Sequence, residues 1–436
     1  MKHLLLLITF LSIVNNVHSQ KKKSIDDIKY QRNSLSTFLV SDGNYENKDK
    51  VLKSYKNYEF PDKYNDHRID SNDIDLSSIV FNDEEMDVIY AELGETKESF
   101  DQKTEIAKTF FGDKYEDKRL TLYKIKKFLV SNKIGSKLVS KWFDNDNDGK
   151  FDEDLISERG LFNASKEDID KAKSEIRGLG RITDGATLDL VPKTYLVLNK
   201  MSFTSNEIAA SYIRALAEVE ISKLVGMKKE IASKLADKVY EKTSEGYSVL
   251  TTSYLFKLKW DQSDCDDIWK NENWNSKDAF LNSRSFDIEH VGTEKANSLV
   301  TFSLKAEDKD RTEDDIINLA TVRNVEKVFS KLTKNYEDFK PKVPLAEFGK
   351  PITAFIGMKE GLTGGETFEV LNEEFDSKTG RTIYKSVGKI KVDKKSIWDN
   401  RYSADDKPND PNGPDRTDFK GKVKKATYGS LIRLIK

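Results

Sequence analysis

The residues with the sharpest chemical pattern are Asp144-Asn145-Asp146-Asn147-Asp148-Gly149-Lys150-Phe151-Asp152. Carboxylates at the first, third and fifth positions of a loop, a glycine at the sixth for the sharp turn and an oxygen ligand at the ninth are what a calcium loop supplies to a hard cation. The expected ligands are Asp144, Asp146, Asp148, the backbone carbonyl of Lys150, and Asp152. Phe151 puts the apolar residue where such loops carry one. Leu155, however, occupies the place of the bidentate acid, and Asp154 or Glu158 replaces it only if the chain leaves the loop by a different path. The competing reading is an acidic, Asx-rich turn joining two helices. Even an occupied loop would fix a connection rather than catalyse.

Other chemistry has fewer candidates. Asp261, Asp264, Asp266 and Asp267 surround Cys265 in what reads as a solvated loop, and like charge disfavours the thiolate that a nucleophile needs. His67 and His290 are the histidines beyond residue 19, and neither has the paired-histidine or Cys/His spacing of a zinc site. His290 shares a strand face with Phe286 and Ile288, the setting of a core or edge histidine. A Ser-His-Asp triad would need one of these two, and no G-x-S-x-G elbow or G-x-x-x-x-G-K-[ST] loop accompanies them. Glycoside hydrolysis needs two carboxylates at a fixed separation, which 75 acidic residues never exclude. Trp269, Trp274 and Trp398 either line a carbohydrate or peptide surface or belong to a core.

The chain that must position these groups has 436 residues and a formal net charge of −2, a balance that argues against nucleic acid or an anionic membrane as the main partner. Lys2, the apolar run from Leu4 to Val14 and Val17-His18-Ser19 read as a cleavable signal peptide over 1–19, with Lys21 to Lys23 an unusual continuation. That run is shorter than the ~20 apolar residues a membrane span needs, and no later segment approaches one. Cys265 is the single cysteine, so no intrachain disulfide forms.

Residues 20–75 are polar with scattered aromatics such as Tyr45, Tyr55, Tyr58 and Phe60, and read as an extended N-terminal arm. A helical region carrying the acidic loop follows over 76–165, where Leu122, Ile125 and Leu129 recur at helical spacing and Gly135 breaks the pattern. Capping boxes at Ser165/Asp168, Thr204/Glu207 and Thr312/Asp315 open helices. The second of these carries Ile231 and Leu235 onward, and the third carries Val322, Val325, Phe329 and Leu332. Strands are expected over Thr194 to Leu198, over Ser253 to Trp260, through Phe286 and Ile288, and through Val300, Phe302 and Leu304. Together they predict an α/β domain over 166–340. Beyond Pro341 and Pro344 the chain turns β- and glycine-rich, with strands at Phe368/Val370, Ile390/Val392 and Leu431 to Leu434. A hairpin turn is expected at Asp376 to Gly380, and a proline-rich loop at Ala404 to Asp415.

The order Ile356-Gly357, Gly361-Leu362, Gly364-Gly365, Phe368-Glu369-Val370 and Val387-Gly388 resembles the small β-barrel modules that end several bacterial envelope proteins, including flagellar assembly protein T. The resemblance implies a partner-supporting barrel over 345–436. Trp142-Phe143, Asp154-Leu155-Ile156, Glu158-Arg159-Gly160 and Asn163-Ala164-Ser165, with Ile397-Trp398-Asp399-Asn400-Arg401, are similar to uncharacterised exported proteins of Bacteroidota-type bacteria, which implies location and no activity. The expected fold class is α+β and multi-domain: a helical N-terminal part, a central α/β domain and a C-terminal small β-barrel. The expected protein is exported to the periplasm, the outer-membrane surface or the medium, and acts without catalysis by binding an envelope protein or polysaccharide. A secreted carboxylate-dependent glycoside hydrolase and a calcium-dependent adhesin are the alternatives.

Overall fold

The computed structural model describes residues 31–43, 47–69, 73–112, 115, 117–144, 148–161, 180–205, 224–243, 247–270, 277–283, 286–300, 312–376, 378–379, 381–401 and 413–435, with single positions between 211 and 222. The expected signal peptide, the Ser165/Asp168 box, Asp146, Trp274, Phe302 with Leu304, and most of the Ala404 to Asp415 loop lie outside these residues.

Strands β1 (Ser34–Ser41), β2 (Asn65–Asp66), β3 (Asp73–Asp75), β4 (Thr194–Ser205), β5 (Tyr247–Leu258) and β6 (Ile288–Val300) form a mixed sheet in the order β2-β1-β4-β5-β6, with β3 also on β1. β1 runs parallel to β2, β3 and β4, and β4, β5 and β6 are antiparallel. The described helices are α1 (Lys48–Lys56), α2 (Asp83–Leu93), α3 (Lys97–Phe111), α4 (Thr121–Ser131), α5 (Ile134–Phe143), α6 (Asp154–Leu161), α7 (Gly180–Leu190), α8 (Met227–Thr243), α9 (Gln262–Lys270), α10 (Lys277–Ser283) and α11 (Glu313–Asn335).

The period of two along the strands decides which helices cover which face. Phe38 and Val40, Leu196 and Leu198, and Tyr254 and Phe256 pack on Ile125, Leu129, Ile134 and Leu138 of α4 and α5. The alternate residues Leu35, Tyr195, Val197 and Leu255 meet Phe329 and Leu332 of α11, while Leu39 and Met201 meet Val51 and Tyr55 of α1 with Ile317 and Val325 of α11. A third core at the end of the sheet gathers Trp142, Phe143, Leu155, Ile156, Leu190, Trp260, Cys265, Phe280 and Phe286.

Several expectations change here. The 20–75 arm is not extended throughout: β1 lies inside the sheet and α1 against α11, so neither the boundary at 75 nor that at 165 separates packing units. Thr204 opens no helix but pairs with Ser248 inside β4. Gly135 does not break a helix; it sits in the first turn of α5, where an added Cβ would fall 2.0 Å from the Phe286 carbonyl oxygen. The break is at Asn132 and Lys133, whose φ is +50°. The Asp261 cluster is the start of α9: Asp261 Oδ1 accepts the amides of Ser263 and Asp264, at 2.7 and 3.2 Å, and Cys265 is buried in the core. Ile288 and Val300, expected on two strands, are the two ends of one, β6, and Phe286 precedes it in the core.

The remaining strands, β7 (Val343–Phe348), β8 (Ile352–Ala354), β9 (Thr367–Asp376), β10 (Arg381–Val392), β11 (Thr417–Gly421) and β12 (Leu431–Leu434), close a barrel in the order β10-β11-β8-β7-β12-β9. Its interior holds Val343, Leu345, Ile352, Phe368, Val370, Ile390, Val392, Phe419 and Ile432. β9 and β10 pair from Asp376 and Arg381 onward, the hairpin expected there. The molecule is thus mixed α+β with a closed C-terminal barrel.

Candidate functional site

A polar cleft of about 640 Å³ opens where α1, α11 and the barrel meet. Its walls follow from local sequence. Asn47, at φ +62°, turns the chain into α1, and Lys48 Nζ fixes that turn by donating to the Gly43 carbonyl at 2.8 Å and Asp75 Oδ2 at 3.0 Å. Across the cleft, Thr312 and Asp315 cap α11 reciprocally as the sequence predicts, at 3.2 and 3.1 Å, which aims Asn318, Val322 and Glu326 at α1. Lys50 Nζ crosses to Asp314 Oδ1 at 2.8 Å.

The barrel contributes the floor through a short 3-10 turn, Met358–Glu360, and the segment around Asn400. Asn400 Oδ1 accepts the Lys359 amide at 2.8 Å, and Asn400 Nδ2 donates to Glu360 Oε2 at 3.0 Å, which also accepts the Gly357 amide at 2.7 Å. Gly357 has no room for a side chain: a Cβ would stand 2.3 Å from the Trp398 carbonyl oxygen and 2.5 Å from Asn400 Oδ1. Asp399 and Arg401 brace the segment with a bidentate pair at 2.7 and 2.5 Å, and that guanidinium holds the Asp399 carboxyl below its ordinary value.

Charges in the wall are mutually held. Lys359 Nζ lies 3.6 Å from the buried Glu326 and 5.8 Å from the Tyr58 ring centre. Burial, and then the Glu326 carboxylate, push the Tyr58 hydroxyl well above its usual value, so it stays a neutral donor. Behind the wall Lys63 reaches Glu360 at 3.1 Å; burial pulls its ammonium down, but Glu360 and Asp62 more than offset this and keep it charged. The cleft therefore presents ammonium, carboxylate, amide and phenol groups in a volume typical of small-ligand sites. Such a surface suits recognition of a polar, uncharged or zwitterionic ligand by hydrogen bonds.

No protein-family model and no curated protein matches this chain.

Of the expected calcium ligands, Asp144, Asp148, Lys150 and Asp152 lie among the described residues and Asp146 does not. Asp144 is buried, its Oδ2 lies 2.9 Å from Lys277 Nζ, and its Oδ1 accepts the Gly149 amide at 3.3 Å. Asp148 and Asp152 are exposed and accept the amides of Lys150 and Asp154, at 2.8 and 2.9 Å. Lys150 is exposed beside Asp148, with Nζ at 4.0 Å, and Leu155 packs into the core. Among the described residues no three acidic, histidine or cysteine side chains gather as a metal site.

The remaining sequence candidates are structural. His67 is fully buried, bonded through Nε2 to the Leu138 carbonyl at 2.9 Å and pushed down to about 3 by burial. His290 Nε2 pairs with Thr293 Oγ1 at 2.9 Å. Trp142 donates to Thr194 Oγ1 at 2.9 Å beneath the Arg159 guanidinium, which donates to Ser34 Oγ at 2.9 Å, so those quoted stretches serve the core. Two carboxyls that burial pushes up, Glu373 to about 7 and Asp189, lie where α7 meets the barrel, outside the cleft. Sequence reasoning passed over Glu326 and Lys359. The one usable signal was Asn400, inside a stretch already singled out.

Proposed function

We propose that this is an exported, non-catalytic binding protein of the cell envelope, and that the cleft between the sheet's helices and the C-terminal barrel holds its ligand. What carries the reading is that cleft: about 640 Å³, polar, and built jointly by α1, α11 and the barrel's Met358–Glu360 turn and Asn400. The Leu-rich start supports export, and the resemblance of the last quarter to envelope barrel modules supports a role for the barrel in binding. The ligand class is a polar oligosaccharide or short peptide segment, matched by amides and paired charges rather than by a net field. In the same reading the Asp144 loop is a turn held by its own amides and by Lys277.

The test is a thermal-unfolding screen of the chain lacking residues 1–19 against neutral and zwitterionic oligosaccharides and short peptides, repeated with Asn318→Trp, which fills the cleft. The reading expects at least one compound to raise the unfolding midpoint of the parent and not of the variant. A rise retained in the variant, or no rise with any compound, would count against it.

A further inference from the structure

We propose that the insertion between β4 and β5 docks on an anionic lipid surface through its apolar tip and the lysine-bordered stripe of α8. The strands that carry it are paired to their ends, Ser205 opposite Tyr247, so the insertion leaves and re-enters the sheet at one point. Leu224, Val225 and Gly226 stand near its middle, and α8 descends from there over 17 residues, about 25 Å at 1.5 Å per residue. Gly226 takes φ +62°, the left-handed turn that lets the helix begin at Met227.

Ile231 and Leu235, expected on a helix, lie on a face of α8 that is exposed. Val225 is 83% exposed, Met227 77%, and Ile231 and Leu235 62% each. Met227, Ile231 and Leu235 recur every fourth residue and form one stripe. At 100° per residue Lys228 borders the stripe on one side and Lys234 on the other, and Lys229 stands exposed nearby. The half-buried residues, Ala232, Ala236 and Asp237, face elsewhere, and Asp237 is matched by Arg214 at 2.7 Å. Between Met227 and Asp237 the three lysines thus outweigh the one other carboxylate, Glu230.

Charge decides the occupant. An apolar stripe flanked by long cationic side chains fits a headgroup layer, where aliphatic groups enter the acyl boundary and ammonium groups reach upward to phosphates. A second copy of this chain would bring lysines against lysines. The chain's overall charge of −2 does not oppose this, because it is a sum over the whole surface and charges farther off than the ~8 Å screening length of physiological salt contribute little at the stripe.

The experiment is vesicle flotation of the chain lacking residues 1–19, with vesicles of phosphatidylcholine mixed with phosphatidylglycerol and with pure phosphatidylcholine as control. The parent should float with the mixed vesicles, less so at high salt. Met227→Ser/Ile231→Ser/Leu235→Ser should abolish flotation, and Lys228→Gln/Lys234→Gln should weaken it by about five-fold per lysine. The altered side chains are exposed, so unfolding midpoints should stay unchanged; Val225→Ser, at the tip, is the reserve variant if the triple change unfolds. A parent that stays unbound overturns the proposal, as does flotation that the variants leave intact. Concentration-dependent dimerisation in sedimentation, lost in the triple variant and without flotation, would assign the stripe to self-association instead.

Discussion

At the scale of single residues, the tightest constraint on the cleft is Gly357. Gly357→Ala places a methyl against the Trp398 carbonyl and the Asn400 amide, both part of the floor, so the segment must shift. A loss of about 1–3 kcal/mol in urea unfolding is expected, the range for local overpacking. Glu373 offers a pH test. Burial raises its carboxyl to about 7 against the pull of the Tyr384 hydroxyl and the Lys342 ammonium, which itself is lowered to about 8 by burial and by Lys193. A folded carboxyl above its unfolded value of about 4.5 retains its proton longer, so its contribution is full below pH 4.5 and is lost as pH rises through 7. Glu373→Gln should therefore raise stability relative to the parent above pH 7, on the order of 2 kcal/mol, and leave it unchanged near pH 4.5. Equal effects at both pH values would contradict this linkage. Residue-scale chemistry was the least legible part of the sequence: Asp144 matched a calcium position, but its carboxylate faces Lys277, more than a hundred residues away and invisible to any local pattern.

At the scale of elements, reading succeeded where periodicity and caps were both local. β9 and β10 alternate apolar and polar residues around Phe368/Val370 and Ile390/Val392, and α11 announces itself through Thr312 and Asp315. Thr312→Ala removes an acceptor for the first turn of α11 and should cost about 1 kcal/mol by chemical denaturation. It should also loosen the cleft wall at Asp314 and Asn318. β1 was missed because Ser34, Ser36 and Ser41 made a buried strand look polar; their small hydroxyls fit the sheet, with Ser34 accepting from Arg159 and Ser41 donating to Ile74. Thr204 followed by Glu207 carried a cap signature, yet eleven register pairs between β4 and β5 extend the strand through it. Long-range pairing outweighed a local preference of about 1 kcal/mol. The helix carrying Ile231 and Leu235 was legible in its spacing, but the exposure of that face was not, because periodicity reports that a face is apolar and not what covers it.

At the scale of the whole molecule, the barrel is tied to the sheet's helices by charge as well as by shape. Lys63 and Glu360 are both nearly buried at 3.1 Å, Lys334 donates to the Gly361 carbonyl, and Arg433 reaches Glu337 at 3.3 Å. Removing one partner of the buried pair leaves a desolvated charge, so Lys63→Met should cost about 3–5 kcal/mol. The double change Lys63→Met/Glu360→Met should recover much of that, and calorimetry of the single variant should show the barrel's transition shifted. The cleft exists because these ties set the barrel beside α1 and α11. The most direct test of the account is hydrogen exchange of the chain lacking residues 1–19, with and without a compound that raises its unfolding midpoint. The account predicts slowed exchange in α1, the first half of α11, Met358–Glu360 and the Asn400 segment together; slowing confined to other surfaces, with these four unchanged, would contradict it.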